Sequence, residues 1–243
     1  MSEKTRPVVE VVGATVRFLA ETALDDVSFR MFPGEVHSLM GENGAGKSTL
    51  IKGMTGALRF DSGTMTIDGE VVHFANPAEA QRAGIRTVYQ EIDLLPNLSV
   101  AENIMLGREP RRWWGIDWKA MHREAAAVLA ELGLDIDPAS SLATHSLAVQ
   151  QLVAISRAMS GDVRVLVLDE PTSSLDTDEV AELFRIIRAL KDRGVAILFI
   201  SHFLDPVYEV CDRVTVLRNG RLVGEYLTRE LLRIDLVQKM LGR

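Results

Sequence analysis

The sequence predicts an α/β domain: a mostly parallel sheet with helices on its faces and a helical segment inserted into it. Two observations carry this. Strand-sized runs rich in Val, Ile and Leu alternate with helix-periodic stretches, as strands buried on both faces do. Between about residues 91 and 158 those runs give way to helical periodicity, so α/β zones at 1–90 and 159–243 flank a helical one. The 243 residues, 47% of them hydrophobic, suffice for one substantial core, and 1–243 is read as a single domain.

Taken in order, residues 8–12, 23–31 and 64–67 read as strands, punctuated by turns at Pro33-Gly34 and Asp61-Ser62-Gly63. Residues 36–40 read as a short buried strand that runs into a glycine-rich loop, and 49–52 open a helix. In the middle zone, 118–132 is amphipathic through Met121, Ala125, Val128, Leu129 and Leu132, and Gly133 is placed to stop it. A second helix runs from about 149 to 159. Beyond it, 163–168 is a buried strand and 179–191 an amphipathic helix, with further buried strands at 195–200 and 214–217.

Composition narrows the function. A formal net charge of −7 argues against a surface built mainly to hold nucleic acid. The single Cys211 excludes an internal disulfide framework and a cysteine zinc cluster, and reads as a packed thiol. The longest apolar run, 195–200, falls far short of the ~20 residues that span a bilayer. The first seven residues lack the apolar stretch of a secretory signal. The expectation is a cytoplasmic protein whose membrane association comes through a partner. His37, His73 and His122 receive no role.

Gly41-Glu42-Asn43-Gly44-Ala45-Gly46-Lys47-Ser48-Thr49 fits the pattern G-x-x-x-x-G-K-[ST]. Its glycines allow the tight turn that points consecutive N–H groups at phosphate oxygens. Lys47 supplies a point charge for the outer phosphates, and Ser48 offers Mg²⁺ a hydroxyl. A helix starting here adds its positive end. Residues Glu42 to Thr49 are therefore the expected nucleotide cradle.

The second signal is Val165-Leu166-Val167-Leu168-Asp169-Glu170, an apolar strand ending in two carboxylates. Its C-terminal edge is where open α/β sheets bind ligands. Asp169 is expected to hold Mg²⁺ and Glu170 to take a proton from an attacking water.

Pro171-Thr172 follows at once, then Ser174-Leu175-Asp176, and with these the chain resembles the ATP-binding cassette ATPases of carbohydrate importers. The resemblance covers essentially all of residues 8–243. It implies a P-loop NTPase (RecA-like) core with an N-terminal antiparallel β region and an inserted helical subdomain, with ATP and Mg²⁺ as cofactors. It matches Val88-Tyr89-Gln90-Glu91 to the family's Q-loop, in which Gln90 reaches Mg²⁺ and the γ-phosphate side. Ile200-Ser201-His202 matches the switch, in which His202 contacts the γ-phosphate. Phe18 stands where the family stacks an aromatic ring on adenine, and Asp176 in its D-loop. Lys47, Glu170 and His202 are thus the implied catalytic set.

The family's Leu-Ser-Gly-Gly-Gln signature is altered here. The matching stretch is His145-Ser146-Leu147-Ala148-Val149-Gln150-Gln151, which keeps Ser146 and a small Ala148. In the family this motif contacts ATP held by an opposing cassette. The resemblance is nearest to the ribose and galactofuranose types, whose proteins carry two cassettes in tandem. The chain is therefore expected to be the first half of such a protein. Implied partners are a second cassette (tandem half or identical copy), transmembrane permease subunits and, indirectly, an extracytoplasmic sugar-binding protein, with no nucleic acid. The implied place is the cytoplasmic face of the cell membrane. Two other readings use the same site: a nucleotide-dependent assembly module with weak hydrolysis, and a cassette acting on nucleic acid or ribosomes.

Trp113, Trp114 and Trp118, all the tryptophans of the chain, cluster behind Arg111-Arg112. Packing of the subdomain's own loop and helix is the first expectation. A contact with the permease or the second cassette is the other.

Overall fold

The computed structural model describes residues 6–19, 21–90 and 93–242. Glu91, quoted with the Gln90 motif, lies outside them, as do residues 1–5 of the N-terminal stretch. Strands β1 (Val9–Phe18), β2 (Glu21–Met31) and β3 (Val36–Met40) lead to helix α1 (Lys47–Met54). Then come β4 (Ser62–Ile67), β5 (Glu70–Val72), α2 (Pro77–Arg82), β6 (Ile85–Val88) and α3 (Val100–Met105). A small hairpin of β7 (Arg111–Arg112) and β8 (Gly115–Ile116) precedes α4 (Trp118–Glu131) and α5 (Leu147–Met159). The chain continues through β9 (Val165–Asp169), α6 (Thr177–Asp192), β10 (Ala196–Ile200) and α7 (Leu204–Val210). It closes with β11 (Arg213–Arg218), β12 (Arg221–Leu227) and α8 (Arg233–Leu241).

Two larger sheets result. An antiparallel one has the order β2-β1-β4-β5, and the other runs β12-β11-β3-β10-β9-β6. In the second, β11, β3, β10, β9 and β6 are parallel and β12 closes one edge antiparallel. The expected α/β class and antiparallel N-terminal region are both present.

Period-two alternation explains why the central strands read as continuous apolar runs. On β9, Val165 and Val167 enter one apolar cluster while Leu166 and Leu168 enter the other. On β10, Ala196, Leu198 and Ile200 face the first cluster, and Ile197 and Phe199 the second. The second face is covered by α6, whose Phe184 meets Phe199 edge-on at 6.2 Å. The helical zone has its own core around Ile104, Met121, Leu129 and Val153. Helix α5 belongs to both, since its Leu152, Ile155 and Ala158 pack into the sheet's second cluster.

Gly133 ends α4 as expected. Its φ is +67°, its N–H donates to Ala130 O at 3.0 Å, and Leu134 N–H reaches back to Leu129 O at 2.9 Å. This is a Schellman closure, which needs a left-handed residue at that point.

The tryptophans depart from the first expectation. Trp113 is 91% exposed, Trp114 66% and Trp118 53%, so they do not pack the subdomain. Cys211 is buried and free, as expected of a packed thiol, and burial holds its pKa well above the usual range.

His37 has a structural place that its sequence context did not show. All five residues of β3 are buried, and His37 Nε2 lies 2.8 Å from Thr215 Oγ1 on the neighbouring β11. Burial, with Arg213 adding repulsion, pushes its pKa down to about 3. Glu35 at 3.5 Å therefore faces a neutral ring rather than an ion-pair partner. An unfolded chain takes up this proton near pH 6.5 while the folded one refuses it until about 3. The contribution of His37 is therefore intact above pH 6.5. It falls by up to about 1.4 kcal/mol per pH unit as pH drops toward 3. Urea titrations from pH 7 to 4 should show this slope shallower in His37→Gln than in the parent; equal slopes would refute the assignment.

Candidate active site

The loop between β3 and α1 is fixed by backbone approaching from both sides. Gly41, at φ +151°, has no room for a side chain because a Cβ would collide with Leu217 O. Gly46, at φ +102°, would bring a Cβ to 2.8 Å from Ala23 O and 2.7 Å from Leu24 Cδ2. Gly44 faces open space instead. Neighbouring backbone also braces the loop, with Gly220 N–H donating to Ala45 O at 3.1 Å. Gly46 caps α1 without a side-chain hydrogen bond, and no acidic residue occupies the first turn. The first-turn N–H groups thus lack intrahelical acceptors beside a positive dipole end, which is an anion site by construction.

Lys47 Nζ donates to Gly41 O at 2.7 Å and Glu42 O at 3.0 Å, so its ammonium is held over the loop. Burial lowers its pKa, while Glu170 and Asp169 act to raise it. Asp169, at the end of β9, has a raised pKa, first from burial and then from Glu170, with Lys47 opposing. One cation and two carboxylates therefore share a half-buried space.

Glu170 is the strained member. Its φ is +49°, a left-handed conformation that costs a non-glycine residue on the order of 1–3 kcal/mol. Its N–H donates to Ile200 O at 2.9 Å, tying the turn after β9 to the end of β10. Oε1 lies 2.9 Å from His202 Nδ1, while Oε2 is buried without a hydrogen-bond partner. The His202 ring is exposed and packs against Phe203, with centroids 3.9 Å apart. Gln90, just beyond β6, lines a cleft of about 290 Å³ with Glu170, Gln150 and Gln151.

The structure thus brings Lys47, Asp169, Glu170 and His202 together, with Gln90 across the adjoining cleft. Ser48 and Thr49 sit in the first turn of α1. Phe18 ends β1 half exposed, so it is not a core residue. Ser146 caps α5, its Oγ accepting from Val149 N–H at 3.3 Å. Ala148 is buried, so its methyl points into the fold, and Leu147 is the apolar residue exposed at this turn. Asp176 forms a capping box at the start of α6: Oδ1 accepts from Glu179 N–H at 2.9 Å, and Glu179 Oε2 from Asp176 N–H at 3.1 Å. Among the described residues, none of the hydrogen bonds of Ser146 or Asp176 reaches the loop.

Sequence reasoning passed over Gln151 and Thr172, whose Nε2 and Oγ1 are buried without partners beside this site. For Gln151 a signal existed. It interrupts the apolar stripe Ala148, Leu152, Ile155 at helical spacing, where an amide is out of place unless something meets it.

The family model described as ABC transporter matches residues 24–173. The chain is 52% identical to the fructose import ATP-binding protein FruK of Bifidobacterium longum, over all of this chain and 47% of that protein. It is 48% identical to the galactofuranose transporter ATP-binding protein YtfR of Escherichia coli, over all of this chain and 48% of that one. It spans about half the length of these curated relatives. Among solved structures it is similar to MJ1267, an ATP-binding cassette of an ABC transporter in its ADP conformation. The TM-score is 0.85 and the identity 27%, covering 98% of this chain and all of that one.

Proposed function

Because the chain belongs to the ABC transporter family, we propose that it is a nucleotide-binding cassette that hydrolyses ATP to power import of a monosaccharide through a partner permease. The carrying observation is the Glu170–His202 contact, set beside Lys47 and Asp169 at the C-terminal end of the parallel strands. Sugar import rests on the relatives' names.

The residues present fit a nucleoside triphosphate. An uncapped helix end and an ammonium held over the loop suit phosphate oxygens, and the buried Glu170 carboxylate oxygen without a partner suits a donor such as the attacking water. No cluster of three His, Cys, Asp or Glu stands together among the described residues, and Mg²⁺ is proposed to arrive with the phosphates. Ser48, Asp169 and Gln90 would hold it, and bound there it would neutralise phosphate charge. Lys47 and the amides of residues 43–49 bind the phosphates. Phe18 offers its exposed ring to the adenine. Glu170 orients water and accepts its proton, and His202 fixes the orientation of the Glu170 carboxylate.

Ser146, Ala148 and Asp176 are proposed to act toward nucleotide held by a second cassette, whether a tandem half or an identical copy. The cassette would sit on the cytoplasmic face of the membrane as a single domain, residues 1–90 and 159–243 forming its core and 91–158 its helical subdomain. Phosphate release, measured for the chain alone and again with the permease and second cassette, tests this reading. Slow release that rises on assembly is expected. ATP binding with no phosphate release in either state would replace the reading with the assembly-module alternative.

A further inference from the structure

The hairpin β7–β8 and the start of α4 expose every tryptophan of the chain at one place. Trp113 stands almost free of its own fold, touching Trp114 edge-on with centroids 5.1 Å apart. The Arg112 guanidinium lies 5.7 Å from the Trp114 ring and is held by Asp117 at 2.6 Å. So large an unpaired aromatic tip marks an interaction surface.

The surrounding charge identifies the occupant. Residues 108–123 hold five Lys or Arg against two Asp or Glu, in a chain whose totals are 27 against 34. Arg111, Arg112, Lys119 and Arg123 are all exposed. A locally basic surface with projecting indoles on an acidic protein is complementary to an anionic lipid surface. Indoles favour the headgroup layer, and each basic side chain adds attraction to acidic lipid.

We propose that this hairpin touches the membrane directly, Trp113 and Trp114 entering the headgroup region of an anionic bilayer with Arg111 and Arg112 on the phosphates. The chain then reaches the membrane by its own contact as well as through a partner. This contact is separate from the nucleotide site, so MgATP affinity serves as an independent check on folding.

The arrangement supplies its own probe, because intrinsic tryptophan emission comes from this patch alone. Vesicles of phosphatidylcholine with about a third phosphatidylglycerol should shift the emission to the blue and carry the protein down on sedimentation. Vesicles of phosphatidylcholine alone should do so weakly, and added salt should release the protein. Trp113→Ala with Trp114→Ala should lower partitioning at least about tenfold while Trp118 still reports. MgATP affinity and thermal midpoint should be unchanged. No partitioning at low salt, equal partitioning of the double variant, or loss only of permease association would each overturn the proposal.

Discussion

On the proposed function, Glu170→Gln is expected to keep MgATP binding while phosphate release from the proposed assembly with permease and second cassette falls by roughly 10²–10⁴, the worth of a positioned general base. The substitution preserves volume and leaves an amide oxygen that can still accept from His202, where Oε1 now sits 2.9 Å from Nδ1. The left-handed turn at residue 170 is set by its N–H bond to Ile200 O and survives the change. What disappears is a group able to accept a proton. A second consequence follows from charge: removing one of two neighbouring carboxylates lets the Asp169 pKa fall toward its ordinary value, since Glu170 helps to raise it. MgATP affinity should therefore hold or improve in the variant. Calorimetry paired with steady-state phosphate release separates the two effects, and wild-type-like release would end the assignment of Glu170 as the base.

Much of this site could be read in the chain because its parts are local. The loop at residues 41–49 and the carboxylates after β9 each sit within one short segment, and the strands leading to them are short and almost wholly buried. What escaped depends on neighbours. Strand β6 is four residues long with Arg86 and Thr87 at its centre, so only its pairing with β9 makes it a strand. Strand β12 is an edge strand interrupted by Gly224, too irregular to show alternation. The tryptophans have core-like composition, and exposure is a property of the surrounding fold. His37 looks idle in the sequence, and only burial between strands makes it matter. Asp176 is both part of a recognisable motif and an ordinary helix cap, and sequence alone cannot apportion the two.

Lys47→Ala is expected to weaken MgATP binding by about 10- to 150-fold, equivalent to losing one charge-assisted contact of roughly 1.5–3 kcal/mol. The fold should tolerate it. The carbonyls of Gly41 and Glu42 lose their donor, but the loop's course is held by the packing of Gly41 and Gly46 against neighbouring backbone. Thermal denaturation should therefore move little while calorimetry moves a great deal. The loss should also acquire a pH dependence. Lys47 is the group that opposes the upward shift of Asp169, so its removal raises that pKa further. Protonated Asp169 is a poor Mg²⁺ ligand, and the deficit of the variant should shrink as pH rises and the carboxylate is regained. A purely steric role for Lys47 predicts a deficit constant with pH. Undiminished MgATP affinity at any pH would instead remove Lys47 from the site, since no other ammonium is held over this loop among the described residues.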